Sequence, residues 1–174
     1  MKSIVVIAAC VLLSGPALAQ SLGEKTGANS VLGISPTTPD FVKEVAISDM
    51  FEIESSKLAV EKSDQATKDF ANQMITDHTK TSKELKAAVA SGINVPIPDA
   101  LDSSHQSELD KLRTLNGADF TKKYHDDQVS AHKDAISLFE RYGKGGDSDK
   151  LKSWAVTTLP ALQHHLEMAQ ALDK

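Results

Sequence analysis

Apolar residues recur at intervals of three and four positions in three long stretches of the chain, which is the period of an amphipathic helix. Placed at about 100° per residue, the apolar side chains of each stretch fall on one face, with most charged side chains opposite. These faces comprise Phe70, Ala71, Met74, Ile75, Leu85, Ala88 and Val89; Phe120, Tyr124, Ala131, Ala135, Ile136, Leu138, Phe139 and Tyr142; and Leu151, Trp154, Ala155, Leu159, Ala161, Leu162, Leu166, Met168, Ala169 and Leu172. An earlier stretch, residues 39–62, is apolar on most sides. Runs of alternating β-branched residues are missing, so the pattern predicts an all-α protein.

Capping residues and helix breakers set the limits of the first two predicted helices. Thr38 followed by a first-turn proline, Pro39, predicts the start of a helix that runs to Lys62. Ser63 is placed to cap a second helix that continues to Gly92. The prolines at 96 and 98 prevent this helix from continuing.

The second half of the chain predicts a long connector and two more helices. Residues 93–116 form the connector, in which Ser103 and Gln106 have the spacing of a capping box and predict a short extra helix. The third long helix covers residues 118–142 and ends at the glycines of residues 143–146. The fourth begins near Ser148 and reaches the C-terminus, with a kink expected at Pro160. Four such helices pack most simply as a four-helix bundle.

The first 19 residues have the three-part pattern of a secretory signal peptide. Lys2 is followed by an apolar run over residues 4–13, and Ala17 and Ala19 place small side chains before an expected cleavage after Ala19. The run is too short for a permanent membrane anchor. Cys10 lies inside the run, so lipoprotein anchoring is unlikely. We therefore expect a periplasmic or secreted protein with a flexible leader over residues 20–38 and one domain over residues 39–174.

Composition narrows the partners that the protein can have. The formal net charge is −5 and the basic residues form no stripe, which argues against nucleic acid as a partner. No stretch after residue 19 is apolar enough to cross a membrane. A homo-oligomer or a partner in the cell envelope remains open. Because the single cysteine lies in the signal peptide, the exported domain has no thiolate ligand and no cysteine nucleophile.

Three histidines lie on the apolar faces of three different predicted helices. His78, His132 and His165 occupy these faces, whereas His164 points to the polar side of the fourth helix and His105 belongs to the connector. An imidazole is costly to bury without a partner. Each histidine is individually explained by a hydrogen-bonded place in the core, but a metal ion would satisfy all three together.

The long connector favours a meeting of these histidines. If it carries the chain back along the bundle, a rise of about 1.5 Å per residue places the three at similar depths. Glu52 lies at a comparable depth on the first helix, and Asp77 borders the apolar face of the second. Histidine and carboxylate from facing helices are ligands for iron, manganese or zinc in helical bundles. A buried polar network without metal is the competing interpretation.

Several short motifs, in the same order, resemble the domain-of-unknown-function family numbered 4142. They are residues 50–53 (MFEI), 57–59 (KLA), 70–78 (FANQMITDH), 117–120 (GADF) with Tyr124, Gln128 and His132, 159–162 (LPAL) and 165–169 (HLEMA). The resemblance covers roughly residues 39–172. It implies a ferritin-like four-helix bundle, usually exported, with no established activity. The recurrent polar positions of the family match Glu52, Asp77, His78, Tyr124, His132 and His165.

One departure from ferritin-like di-iron proteins limits the chemistry. Those proteins carry Glu-x-x-His on two helices, whereas Ile75, Val129 and Leu162 stand three residues before the inward histidines here. No serine-hydrolase motif or phosphate-binding loop is recognisable either. A standard di-iron oxidase is therefore disfavoured, and whether the protein is an enzyme stays open.

The sequence thus predicts an exported helical bundle that binds a transition metal, iron, manganese or zinc, in its core. The predicted ligands are Glu52, His78, His132 and His165, with further support from Asp77, Tyr124, His125 and Gln128. Two alternatives are a structural or interaction module of the cell envelope without metal and, more weakly, a metal-dependent redox enzyme.

Overall fold

The structure, a computed structural model, describes residues 22–172, and all regular structure in this range is helical. The helices are α1 (Leu22–Lys25), α2 (Ala28–Leu32), α3 (Thr38–Lys62), α4 (Gln65–Ala90), α5 (Ser103–Thr114), α6 (Gly117–Gly145) and α7 (Asp149–Ala171). The predicted all-α fold is confirmed, and its four long helices form the bundle. The predicted signal peptide lies outside the described residues. Between residues 22 and 172, no helix combines the length and the apolar character needed to cross a bilayer.

The long connector returns the chain along the bundle, as the sequence predicts. At one end, the Nζ atom of Lys62, the last residue of α3, donates to the carbonyl of Leu115 just before α6, at 2.8 Å. At the other end, Lys150 at the start of α7 contacts Ser91, which follows α4. Helices α4 and α6 therefore run parallel, and each is antiparallel to α3 and α7. The connector helix α5 packs against α3 and α6.

The predicted N-caps are wrong by one residue at three helices. The observed caps are Thr37, Asp64 and Asp102, whose side chains accept from the backbone N–H groups of Asp40, Thr67 and His105. The predicted caps Thr38 and Ser103 are instead the first residues of α3 and α5. An acceptor three residues before a free N–H satisfies that donor, and the carboxylates at 64 and 102 do so in place of the neighbouring serines.

The glycines after residue 142 do not end the third long helix where the sequence predicts. Helix α6 continues through Gly143 to Gly145, and Gly146 closes it by donating its N–H to the carbonyl of Tyr142 at 2.8 Å. A Cβ atom at Gly146 would lie 2.7 Å from the Tyr142 ring. Glycine at 146 is thus required by the close approach of this ring. Helix α4 ends at Ala90, two residues before the predicted end.

The segment predicted as a flexible leader contains α1 and α2 and lies against α6. Arg141 of α6 donates to the Glu24 carboxylate at 2.6 Å and to the carbonyl of Ile34 at 2.7 Å. Ser30 contacts Ser137 at 3.0 Å. The side chains of Arg141 and Glu24 are 9% and 5% exposed, so the ion pair is largely shielded from water.

Two apolar clusters fill the bundle, one towards each end. The first contains Phe41, Val42, Val45, Ala46, Leu85, Ala88, Leu138, Phe139, Tyr142, Leu151, Ala155 and Leu162. The second contains Phe51, Ala59, Phe70, Ala71, Met74, Leu109, Leu112, Phe120, Tyr124 and Ala169. On α4, α6 and α7 the residue numbers of the two clusters leave a gap, and the buried side chains of His78, His132 and His165 lie in these gaps. The bundle therefore has a polar layer between two apolar halves.

Candidate metal centre

The polar layer brings together three of the predicted ligands. His78 of α4, His132 of α6 and His165 of α7 each offer a ring nitrogen, and these three nitrogens lie within 4.8 Å of one another. The ring centroids are 5.4 to 5.6 Å apart. All three side chains are buried, and His132 is 1% exposed. We refer to His78, His132 and His165 as the histidine triad.

The first histidine of the triad is oriented by a carboxylate of α3. The Nδ1 atom of His78 lies 2.8 Å from Oδ1 of Asp49, and the other oxygen of Asp49 accepts a hydrogen bond from Ser82 at 3.0 Å. Asp49 is 3% exposed. An ionised carboxylate has no hydrogen to donate, so the Nδ1 of His78 carries the hydrogen of this bond. When the imidazole is neutral, the lone pair of its Nε2 is free.

The other two histidines are oriented by acceptors on different helices. The Nε2 atom of His165 lies 2.8 Å from Oδ2 of Asp77, which also accepts from Gln73. The Nδ1 atom of His132 lies 2.8 Å from the backbone carbonyl of Gln128, one turn earlier on α6. Both acceptors require an N–H on the histidine, which leaves the opposite ring nitrogen with a free lone pair.

The three free nitrogens have no protein partner. They are Nε2 of His78, Nε2 of His132 and Nδ1 of His165, each buried and without a hydrogen bond. Buried polar atoms in folded proteins are nearly always paired, so three unpaired acceptors close together require an explanation. An imidazole whose N–H is fixed by a carboxylate or a carbonyl, and whose second nitrogen is open, is arranged as in protein metal sites.

The protonation equilibria keep two of the three imidazoles neutral. Burial, followed by the charge of His78, lowers the pKa of His132 to about 3. Burial also lowers the pKa of His165, although Asp77 acts against it. Burial alone would lower the pKa of His78, but its hydrogen bond to Asp49 and the charges of Asp49 and Glu52 outweigh burial and raise it. At pH 7 the imidazoles of His132 and His165 are therefore neutral and could bind a metal ion directly. At His78 a metal ion would have to displace a proton.

Glu52, the predicted carboxylate ligand, is buried beside the triad but is not a member of the 4.8 Å group. It is 1% exposed, and neither carboxylate oxygen makes a hydrogen bond. Burial raises its pKa to about 7, with His78 and the nearby Gln128 amide acting in the opposite direction. Gln128 lies close enough to lower this pKa, but its side-chain atoms do not form a hydrogen bond of normal geometry.

The remaining residues that the sequence connects with the site lie around it or away from it. Tyr124 is fully buried and bonds to Ser56 at 2.8 Å, and burial raises its pKa. His125 contacts Thr67 at 3.0 Å and is not in the triad. His164 is exposed on α7, as the sequence predicts, with a side chain 68% accessible to solvent.

Asp49 is the residue of the centre that sequence reasoning missed. Helix α3 is apolar on most sides, so its periodicity does not single out an inward polar face. A usable signal exists, because Asp49 and Glu52 are three residues apart and therefore share one side of the helix. Two acidic residues on one face of an otherwise apolar helix are typical of a functional site.

A cavity of about 530 Å³ reaches the His78 side of the triad. Its buried end includes His78, Asp49 and Leu162, and its outer part includes exposed residues such as Glu108 and Ser130. Residues of α1 and the turn after it contribute one wall. The leader therefore shapes the solvent space next to the histidine triad.

The fold and the site together define a four-helix bundle protein with a buried three-histidine centre. The chain belongs to the family described as Domain of unknown function (DUF4142), which it matches over residues 23–172. No protein of curated function matches it significantly. A similar solved structure is "CopM in the Cu(II)-bound form", with 14% sequence identity and a TM-score of 0.66. The alignment covers 79% of this chain and 96% of CopM. This likeness shows that the two chains share a fold.

Proposed function

We propose that the protein binds one divalent transition-metal ion in the core of its bundle, through the histidine triad. Two observations carry the proposal together: one ring nitrogen from each of the three histidines lies within 4.8 Å of the other two, and each ring has one nitrogen without a partner. Each imidazole is held by an acceptor on its far side, so little reorganisation is needed to receive an ion. Binding the ion satisfies three buried acceptors at once, which repays their desolvation.

Of the three ions expected from the sequence, iron, manganese and zinc, the donor set favours zinc. It also favours copper(II), which the sequence analysis does not name. Imidazole nitrogen suits zinc, copper, iron and nickel, whereas manganese prefers oxygen ligands. No carboxylate belongs to the 4.8 Å group. Among divalent ions of the first transition row, copper(II) binds such sites most tightly. The copper(II)-bound state of the structurally similar CopM is consistent with this choice, although the fold likeness alone assigns no ligand.

Glu52 completes the set of predicted ligands, and it lies on α3, the one long helix that contributes no histidine to the triad. Because its carboxylate lies outside the 4.8 Å group, we assign it a contact with the ion through a bound water molecule rather than a direct bond. Its burial and lack of a protein partner support a role at the centre. Asp49, Asp77 and the carbonyl of Gln128 act as outer acceptors that fix the three imidazoles.

We place this function outside the cytoplasm, on the basis of the signal-peptide pattern of residues 1–19. An exported protein without cysteine has no thiolate ligand to offer a metal ion. The alternative, a cell-envelope module without metal, requires each buried histidine to be fully satisfied by protein groups. The three open nitrogens count against that alternative.

Metal analysis of the untagged protein tests the proposal. We expect one equivalent of copper or zinc after purification or after titration of metal-free protein, with far weaker binding of manganese. His132→Leu should weaken binding by at least about 100-fold, because loss of an outer-shell partner alone costs 10–100-fold. His164→Leu is the matched control, since His164 is an exposed histidine next to a triad member.

Circular dichroism of His132→Leu must show an intact bundle for the comparison to be valid. We expect this, because the acceptor that His132 loses is a backbone carbonyl within α6, and the change also removes an unpartnered ring nitrogen from the core. Equal affinity of the wild-type protein, His132→Leu and His164→Leu would reject the centre. Absence of stoichiometric binding of every ion tested would also reject it.

A further inference from the structure

Next to the histidine triad, four side-chain atoms of two residues are buried without any hydrogen-bond partner. They are Oε1 and Oε2 of Glu52 and Nε2 and Oε1 of Gln128. Glu52 is 1% exposed and Gln128 is fully buried. A buried amide or carboxyl group without a partner destabilises the fold. A pair of such groups at one place is a feature that packing alone does not explain.

The two residues are placed by the same helices that hold the centre. Glu52 follows Asp49 by one turn on α3, and Asp49 bonds to His78. Gln128 precedes His132 by one turn on α6, and its backbone carbonyl bonds to the His132 ring. The two side chains come close to each other across the interface of α3 and α6. Glu52 is thus one helical turn from the acceptor of His78, and Gln128 itself supplies the acceptor of His132.

Three imidazoles leave a metal ion incompletely coordinated. Zinc in catalytic sites takes three protein ligands and a fourth, exchangeable one, and copper(II) also accepts four or more ligands. A carboxamide offers both donors and an acceptor, and a carboxyl group offers acceptors and, when protonated, a donor. Together they can hold a small ligand that both donates and accepts hydrogen bonds.

The space at Glu52 and Gln128 limits the size of this ligand. The 530 Å³ cavity is lined by His78 and Asp49, but Glu52 and Gln128 are not part of its lining. Both side chains are closed off from solvent. A ligand with an extended carbon skeleton would not reach these groups without opening the bundle, so the ligand proposed below is confined to a water molecule or an anion of two or three atoms.

We propose that Glu52 and Gln128 form a binding pocket for a small exogenous ligand at the open coordination position of the bound metal ion. The resident ligand is water, and a small anion such as azide replaces it. This inference rests on the proposed function, since the pocket serves the ion held by the triad. In this inference Glu52 and Gln128 contact the exchangeable ligand of the metal ion and do not bind the ion directly.

Azide titration of the copper(II)-loaded, untagged protein tests the pocket. We expect a new azide-to-copper charge-transfer band and a change in the copper EPR spectrum in the wild-type protein. Gln128→Leu removes the side-chain donor and acceptors but keeps the backbone carbonyl that bonds to His132. It should weaken azide binding about tenfold, equivalent to about 1.4 kcal/mol, and change copper affinity far less. Glu52→Gln tests the carboxyl group in the same way.

Ser82→Ala is the matched control, because Ser82 contacts Asp49 on the far side of the His78 ring and does not face the pocket. Azide affinity should stay at the wild-type value in this variant. If the wild-type protein binds one copper ion but no azide, or if Gln128→Leu and Glu52→Gln bind azide normally, the pocket is refuted and the metal centre stands. If copper itself does not bind, the centre and the pocket fall together.

Discussion

The Nδ1 atom of His78 lies 2.8 Å from Oδ1 of Asp49, and this bond joins α4 to α3 in the polar layer of the bundle. Both side chains are almost completely buried. The bond fixes a hydrogen on Nδ1 of His78 and leaves Nε2 as the nitrogen without a protein partner. One carboxylate thus orients this imidazole and raises its pKa.

Asp49→Ala should weaken metal binding by about 10–100-fold, the range found for outer-shell partners of metal-bound histidines. The imidazole of His78 would lose its acceptor and could rotate or change tautomer. Asp49→Asn keeps an oxygen acceptor without the charge, so its loss should be smaller. Competition with a chromophoric chelator measures both affinities. Wild-type affinity in Asp49→Ala would show that the bond does not serve a metal ligand.

Glu52→Gln should stabilise the metal-free protein at alkaline pH. The pKa of Glu52 is about 7 in the folded protein, against 4.5 for an ordinary glutamate. Between these values the folded protein keeps a proton that the unfolded chain loses, so the free energy of unfolding falls as pH rises through this window. At pH 8 the raised pKa of Glu52 lowers the free energy of unfolding by its full amount, about 3 kcal/mol.

Urea unfolding of metal-free protein at pH 4.5 and pH 8 measures this effect. Glu52→Gln should gain up to about 3 kcal/mol over wild type at pH 8 and little at pH 4.5, where Glu52 is protonated in the folded state. Glu61→Gln, an exposed change on the same helix, should show no such difference. An equal gain at both pH values would mean that the carboxylate does not titrate as described.

Metal should stabilise the folded protein by mass action. At a free zinc concentration 100 times the Kd, the free energy of unfolding should rise by about 2.7 kcal/mol. Urea unfolding with and without zinc measures this, and a chelator should reverse it. His132→Leu should lose the zinc effect while keeping its stability without metal. A zinc effect of the same size in His132→Leu would place the ion elsewhere.

Arg141→Met should release the segment of α1 and α2 without changing the metal centre. The change leaves the Glu24 carboxylate, 5% exposed, without its guanidinium partner. Asn29 still donates to Glu24 at 2.9 Å, but removing the guanidinium from a buried ion pair is strongly destabilising, so we expect the segment to detach rather than keep the carboxylate buried. Hydrogen exchange over residues 22–35 should speed up strongly, with α3 to α7 unaffected.

Lys144→Met is the control for this change, since Lys144 lies one turn further on α6 with a side chain 80% exposed. Hydrogen exchange over residues 22–35 in Lys144→Met should equal that of the wild type. Copper affinity should be the same in all three proteins, because Arg141 does not contact the triad. Unchanged exchange in Arg141→Met would show that the ion pair does not hold the leader.

The inward direction of the three histidines could be predicted from the sequence because helix periodicity fixes angles. Once residues 65–90, 117–145 and 149–171 are helical, the apolar side chains determine which face is buried, and His78, His132 and His165 share those faces. The same argument fails for Asp49, since α3 buries side chains in several directions. Three caps were predicted one residue away from their true positions because neighbouring serine, threonine and aspartate residues all have suitable side chains.

By itself, then, the sequence determined the helical class, the four long helices and the buried side of each histidine, because these depend on local period and on the contrast between apolar and polar residues. Only the tertiary structure decided that the three rings meet at one height, that Asp49 and Asp77 orient two of them, and which ring nitrogens stay open. Those features depend on the return of the chain through residues 93–116 and on the axial register of helices far apart in sequence. A shift of one helical turn, about 5.4 Å, would separate the rings while leaving every local pattern unchanged.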